Sequence, residues 1–326
     1  MRQIRASSSA CSPSSRVDNL AKLLRGGLLC LPTWPLTASP SSAYPSRSVT
    51  VIVPFAAGGP TDKVAVIITG YLATTLGQQF VIENVVGGGG GTTAARGMRA
   101  TPDRYTLTTG QMGTHRNAPA VILVMTNRQL PVETLPELLA YLRQHPNTKM
   151  VHAGAGSISY ASCTLPASIV QLQSADIALR GSGPALRALP DGRIDDMCDQ
   201  IVNSIDRVRT GELRALAISA NARNPFLPDV PTAAEAGVPG FDMTAWHALF
   251  APQNTPPELI DRLSAALSAA LDDAAVRQQF TDLAGDIAVV EQRGRAALDD
   301  LIHAEVASWK PHLEQAPLSD GQRAWQ

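Results

Sequence analysis

Aromatic residues make up only 5% of this 326-residue chain, and it has just four cysteines. A surface that stacks nucleic-acid bases needs aromatic platforms, so this scarcity argues against a large nucleic-acid-binding face. No Cys-x-x-Cys pair occurs, which argues against zinc-ribbon and thioredoxin-type chemistry. Beyond residue 43 no apolar run is long enough to span a bilayer. The six histidines (His115, His145, His152, His247, His303 and His312) include no His-Glu-x-x-His or comparable ligand spacing. No Gly-x-Ser-x-Gly elbow is present, and Gly181-Ser-Gly183 is too short to stand for one. The five-glycine run Gly87–Gly91 and Ala57-Gly-Gly59 both fail the dinucleotide fingerprint, and no Walker lysine follows either. The expectation is a chain with no catalytic residues, no metal and no cofactor.

What is present suits a soluble globular protein: 44% apolar and 17% charged residues, in a length that allows two domains with real cores. The formal net charge of −1 conceals a gradient. Residues 1–43 hold Arg2, Arg5, Arg16, Lys22 and Arg25 against Asp18 alone; the remainder has 22 basic and 27 acidic residues, a net of −5. Nothing there attracts a polyanion, and no nucleic-acid partner is expected. The basic start precedes an apolar stretch, Gly26–Leu36, and Ser41-Ser42-Ala43 places small residues at −3 and −1 of a signal-peptidase site. Two prolines make that stretch a poor membrane span. Residues 1–43 therefore read as a signal peptide or disordered leader, with cleavage near Ala43 and export to the periplasm. Cys30 suggests a lipid anchor, but bulky Leu29 precedes it; a mis-assigned start with a disordered tail is the other alternative. Removing the leader takes Cys11 and Cys30 with it and leaves Cys163 and Cys198. In an oxidising compartment that pair is either one disulfide or two buried thiols, and the residues alone leave both open.

The pattern after the leader alternates strand and helix. Val49–Phe55 is a nearly continuous β-branched run, as in a parallel strand buried on both faces. A Gly/Pro turn follows, with Thr61-Asp62 as N-cap chemistry, and Val64, Ile67, Ile68, Tyr71 and Leu72 recur at helical spacing until Gly77. Further strands are expected at 80–82, 105–109, 121–124, 150–152, 177–179, 194–199 and 213–219, with helices after the five-glycine run and over 135–144. The C-terminal part reads as helical, starting at a capping box from Thr255 to Glu258, with Leu259, Leu263, Leu267 and Leu271 packed into the core. Such alternation predicts an α/β fold with parallel, doubly wound sheets.

Several of these strands end in glycine- and hydroxyl-rich loops, at 56–62, 110–115, 153–159 and 180–184. In open parallel sheets the strand C-termini face a common crevice, where helix N-termini aim N–H groups at a ligand. Four such loops would line a donor-rich, charge-neutral cleft suited to carboxylates. For any one loop, tight βα turns are the plainer explanation. Asp62 suits a helix cap as well as a ligand contact, and Asp199, at a strand end, is the better candidate for polar selectivity. His115 and His152 lie at strand ends, though a satisfied loop histidine is the simpler reading of each.

At these loops the sequence resembles the Bug-type extracytoplasmic receptors of tripartite tricarboxylate transporters. The resemblance runs from Tyr44 to Trp309 and is strongest at Val53–Asp62, Leu76–Gln78, Val81–Asn84, Ala100–Leu107, Arg180–Leu186, Gly211–Ala217 and Leu227–Gly237. Each piece is weak alone; their order and spacing are specific. His152–Ser157 with Met197–Gln200 looks like a cysteine-bearing subgroup, which favours a Cys163–Cys198 bridge. The resemblance implies a two-lobed periplasmic-binding-protein fold (type II-like), each lobe a mostly parallel sheet flanked by helices. Lobe 1 would comprise 44–114 plus 220–326, and lobe 2 would comprise 115–219. It implies a small carboxylate ligand (a di- or tricarboxylate or an aromatic acid), membrane transporter subunits as partners, and a monomer. The carried-over ligand set is Phe55, Ala57, Gly58, Gly59, Thr61, Asp62, Gly113 and Thr114 from one lobe. Gly156, Ser157, Ser159, Gly181, Ser182 and Asp199 come from the other. Two departures stand out. The family has a longer stretch, including a strand crossing between lobes, ahead of the strand at Val121; and Leu179 and Tyr160 replace a usual tyrosine and histidine. The rivals to a transport receptor are a sensor for a signalling partner, an enzyme using His115 or His152, and a decayed paralogue that no longer binds.

Overall fold

The structure is a computed structural model that describes residues 44–114, 120–154, 157–169, 175–179, 181–241 and 243–315. The proposed leader, His115, Gly156 and Arg180 lie outside the described residues. The described residues form one compact unit. Its first stretch contains β1 (Val49–Val53), α1 (Pro60–Leu76), β2 (Phe80–Asn84), α2 (Gly91–Arg99) and β3 (Thr106–Thr114). Next come β4 (Ala120–Thr126), α3 (Leu135–Gln144), β5 (Lys149–His152), α4 (Ile158–Ile169), β6 (Ala175–Ala178), α5 (Ser182–Ala188), β7 (Asp196–Gln200), α6 (Ile201–Arg209) and β8 (Arg214–Ile218). The chain then adds β9 (Thr244–Phe250), α7 (Pro257–Asp272), α8 (Ala274–Asp282) and α9 (Arg295–Gln315).

Two parallel three-stranded cores result, as the alternation predicts. In one sheet β1 lies between β2 and β3, with Val51 opposite Ile82 and Leu107. In the other β5 lies between β6 and β7. Antiparallel strands connect them: β4 and β8, which the sequence reading placed, and β9, which it did not. β9 falls ahead of the helical C-terminal part, where the sequence reading placed no element, and it pairs with β3 along its whole length. β4 pairs with β9 through Ala120 and Val121, then with β7 and β8 from Ile122 onward. It is buried on both faces: Ile122 and Val124 enter one core cluster, Leu123 and Met125 another. Period-two alternation therefore feeds two cores from one strand, which explains why β4 is apolar throughout.

The junction made by β4 is where the resemblance implies a missing strand. Two buried polar atoms without a partner among the described residues lie there: Gln200 Oε1, on the residue opposite Ile122, and Trp246 Nε1, beside Ala245.

Local signals worked unevenly. Helix α3 begins as its sequence suggests: Thr134 accepts from the Glu137 amide, and the Glu137 carboxylate accepts from the Glu133 amide. The capping box at Thr255 does not form, because the helix starts two residues later at Pro257 and Thr255 Oγ1 donates to the Pro252 carbonyl. Of the leucine stripe, Leu259 and Leu263 pack on Val49 and Val51, while α1 meets Ala266, Ala270 and Phe280.

A disulfide joins Cys163 of α4 to Cys198 of β7, with Cα atoms 5.3 Å apart and the two residues 35 positions apart in sequence. Both cysteines are buried in one core cluster. Closing a loop of this size stabilises by roughly 3–4 kcal/mol through the unfolded state. Cys163→Ser with Cys198→Ser should lower Tm by roughly 10 °C in scanning calorimetry. An unchanged Tm would mean that the bond contributes nothing.

Candidate functional site

The turn after β1 is shaped by its own backbone. Gly58 adopts φ 80°, a left-handed value that a side chain rarely tolerates, and α1 begins at Pro60 with Gly59 as N-cap. No side chain caps this helix, contrary to the N-cap role expected of Thr61 and Asp62. Instead, Asp62 reaches back. Its Oδ2 accepts from the Gly58 amide at 2.8 Å and its Oδ1 from Asn84 Nδ2 at 2.8 Å, while the same Asn84 nitrogen donates to the Phe55 carbonyl at 3.0 Å. Phe55, Thr61 and Asp62 are buried. Asp62 thus braces the turn 55–59, and Ala57, Gly58 and Gly59 present it.

The second sheet supplies a matching turn before α5. Gly181 has φ 128°. Ser182 Oγ donates to Asp199 Oδ1 at 2.9 Å, and Asn203 Nδ2 donates to Asp199 Oδ2 at 2.7 Å, so the Asp199 carboxyl ties the turn to α6. Burial pushes Asp199 up to about 6, against the lowering effect of those two hydrogen bonds, the Gln200 amide and the charge of Lys63.

These two turns meet. A methyl at Gly183 would lie 2.9 Å from the Ala57 carbonyl oxygen, and one at Gly181 would lie 3.0 Å from the Ala56 nitrogen. A third approach joins the loop after β5 to the glycine run, where a methyl at Gly154 would lie 3.3 Å from the Gly89 nitrogen. Ser157 and Ser159 build that loop and are buried. Ser157 Oγ donates to the Gly154 carbonyl, and Ser159 Oγ accepts from the Ala153 amide. His152 serves the same loop: its Nδ1 accepts from the Gly154 amide at 3.0 Å and its ring packs edge-on against Tyr160.

The fourth loop behaves differently. Gly110 does not end its strand; β3 runs on through Gly113 and Thr114, which stand opposite Ala245 and Thr244 of β9. This extension brings in residues that the sequence reading missed. Gln111 Oε1 accepts from Gln200 Nε2 at 2.8 Å and from Thr61 Oγ1 at 3.1 Å, and His247 Nε2 lies 3.3 Å from Thr61 Oγ1. Burial pushes His247 down to about 4, so it is neutral at pH 7 and can donate to Thr61. Lys63 Nζ adds bonds to the Val202 and Asn203 carbonyls of α6, and burial lowers its pKa. Gln200 and Lys63 stand beside flagged aspartates and Gln111 lies within the flagged loop 110–115, usable signals; His247 has none. Among the described residues no group of three metal-ligating side chains occurs, and no helix is long and apolar enough to cross a membrane.

Residues 114–318 match the sequence model of the Tripartite tricarboxylate transporter family receptor. The chain belongs to this receptor family. A curated family relative, the UPF0065 protein of the TAR-I ttuE-ttuC' intergenic region in Agrobacterium vitis, is 34% identical over 302 residues, covering 86% of this chain and 87% of its own. Of solved receptor structures, MatC from Rhodopseudomonas palustris with bound malate superimposes with a TM-score of 0.79 at 41% identity, covering 82% of this chain and 99% of its own. The periplasmic binding protein BugD gives 0.78 at 28%, with 83% and 98% covered. The receptor therefore has the α/β periplasmic-binding-protein fold and is a solute-binding protein.

In this receptor, the raised Asp199 pKa has a consequence for stability. Between the ordinary aspartate value of 3.8 and about 6 the folded state keeps a proton that the unfolded state has released, so stability falls as pH rises through that window. The Tm of the parent relative to Asp199→Asn should drop by a few degrees between pH 4 and 7 and stay level above. Asp196, pushed up to about 7 by burial and by Asp195, is common to both proteins and cancels. A pH-independent difference would place a charged carboxylate at 199 throughout.

Proposed function

We propose that this receptor works in the periplasm, where it holds a small carboxylate beside the place where the turn 55–62 meets the turn 181–183 and delivers it unchanged to membrane transporter subunits. The observation that carries this reading is the meeting of Ala56 and Ala57 with Gly181 and Gly183, which brings turns from two sheets to one place. The first turn of α1 has backbone N–H groups with no partner inside the helix, and the positive end of the helix dipole favours an anion there. The malate bound to MatC, at 41% identity, supports a carboxylate of that class.

On this reading residues 44–114 plus 220–326 form one lobe and 115–219 the other. The turns part to admit the ligand and meet over it. The Gln111–Gln200 bond and the grip of Lys63 on α6 are contacts between the lobes that closure makes. Gly113, Thr114, Gly156, Ser157 and Ser159 border the ligand, Asp199 sets the position of the second turn, and the protein acts as a monomer. Residues 1–43 direct export and are removed near Ala43. With His152 engaged in its own loop, catalysis has no support, and ligand recovered after incubation should be chemically intact.

A thermal-shift screen with malate, succinate, citrate, adipate and benzoate tests the proposal. A ligand at a hundred times its Kd stabilises by about 2.7 kcal/mol, several degrees in Tm. At least one acid should do this for the parent and fail for Gly183→Val, whose side chain cannot fit against the Ala57 carbonyl. A panel with no response, or a response unaltered by Gly183→Val, would remove the site.

A further inference from the structure

A cavity of about 130 Å³ lies beneath α1 and shares only Thr61 with the residues assigned to the carboxylate. Most of its wall is apolar, with Ile68 and Leu72 of α1, Leu267 and Leu271 of α7 and Phe280 of α8. Among the described residues no lysine or arginine lines it, so an anion would find no counter-charge there. Its polar margin contains the neutral His247, Thr61 and Asp286, whose pKa burial raises. An apolar cavity of about 150 Å³ in a protein interior stays dry and accepts benzene. Here the margin could also take a single hydroxyl.

The walls come from both halves of the molecule. Val202 belongs to α6, which follows the second sheet, and it packs so tightly on this region that a methyl at Gly285 would lie 2.8 Å from Val202 Cγ1. The carbonyl of Val202 accepts from Lys63 of α1, and Thr61 in the cavity wall bonds to Gln111, which bonds to Gln200 of the second sheet. An occupant would touch α1, α6, α7 and α8 together, and the cavity is complete only while α6 stays seated on α1.

We propose that this cavity is a second binding site, for a small uncharged aromatic of benzene or phenol size, and that its occupancy favours the arrangement in which the glycine turns meet. The linkage rests on the closure proposed above; the site itself does not. Phenol and benzene are the probes, titrated calorimetrically into the full chain without any carboxylate. Saturable binding is expected, together with a rise in Tm. Ala65→Leu and Thr69→Leu, each placing a larger side chain in the cavity, should weaken phenol binding at least tenfold, and either serves if the other fails to fold. Absence of binding, or binding that survives the filling substitutions, overturns the site. For the linkage, Gly183→Val or Gly181→Val should weaken phenol binding at least threefold although neither residue touches the cavity. An unchanged phenol affinity in a folded variant overturns the linkage and leaves the carboxylate reading to its own screen.

Discussion

Two backbone turns pressed together without side chains between them constrain the rest of this receptor. The Ala57 carbonyl and the Gly183 Cα approach so closely that even one methyl would intrude. Contact of this kind has little tolerance, so each turn must be held rigidly from behind. Asp62 with Asn84 does this for the first turn, and Asp199 with Ser182 and Asn203 for the second. The two braces follow one design: a buried carboxylate accepts from its own turn and from an amide side chain on a neighbouring element. The aspartates and serines that the family pattern marks as ligand contacts are therefore spent on shaping the turns. On the reading proposed above, the free backbone amides of the first turn of α1 are left to recognise the ligand, which suits a carboxylate and discriminates weakly among carboxylates.

The same contact explains the polar chain at its flank. His247, Thr61, Gln111 and Gln200 run from β9 through α1 and β3 to β7, ending at a buried amide oxygen with no partner among the described residues. Such a chain is stable only if its members stay in register, because each buried polar group left unpaired costs about 1–3 kcal/mol. It therefore favours a single relative placement of the two sheets. The seating of Lys63 on α6 acts in the same direction, and β4, shared by both sheets, limits how they can separate.

Much of this was legible in the sequence, for identifiable reasons. The parallel cores follow from β-branched runs punctuated by glycine, and the glycine turns were found because few other residues can adopt their backbone angles. The Cys163–Cys198 bond was one of two readings that the residues allowed, and the family resemblance favoured it. Strand β9 was missed because its sequence, Thr-Ala-Trp-His-Ala-Leu-Phe, takes its strand character from pairing with β3 rather than from local propensity. Gln111 and His247 were missed with it, since only that pairing sets them side by side. The capping signal at Thr255 lost to Pro256-Pro257, which start the helix later.

Amide hydrogen exchange with and without malate, or whichever acid binds, tests the central claim most directly. Ligand held where the turns meet should slow exchange at 57–61 and at 181–183 together, since both segments would lose access to water in one event. Protection confined to one segment, or appearing elsewhere while both turns exchange as before, would contradict it.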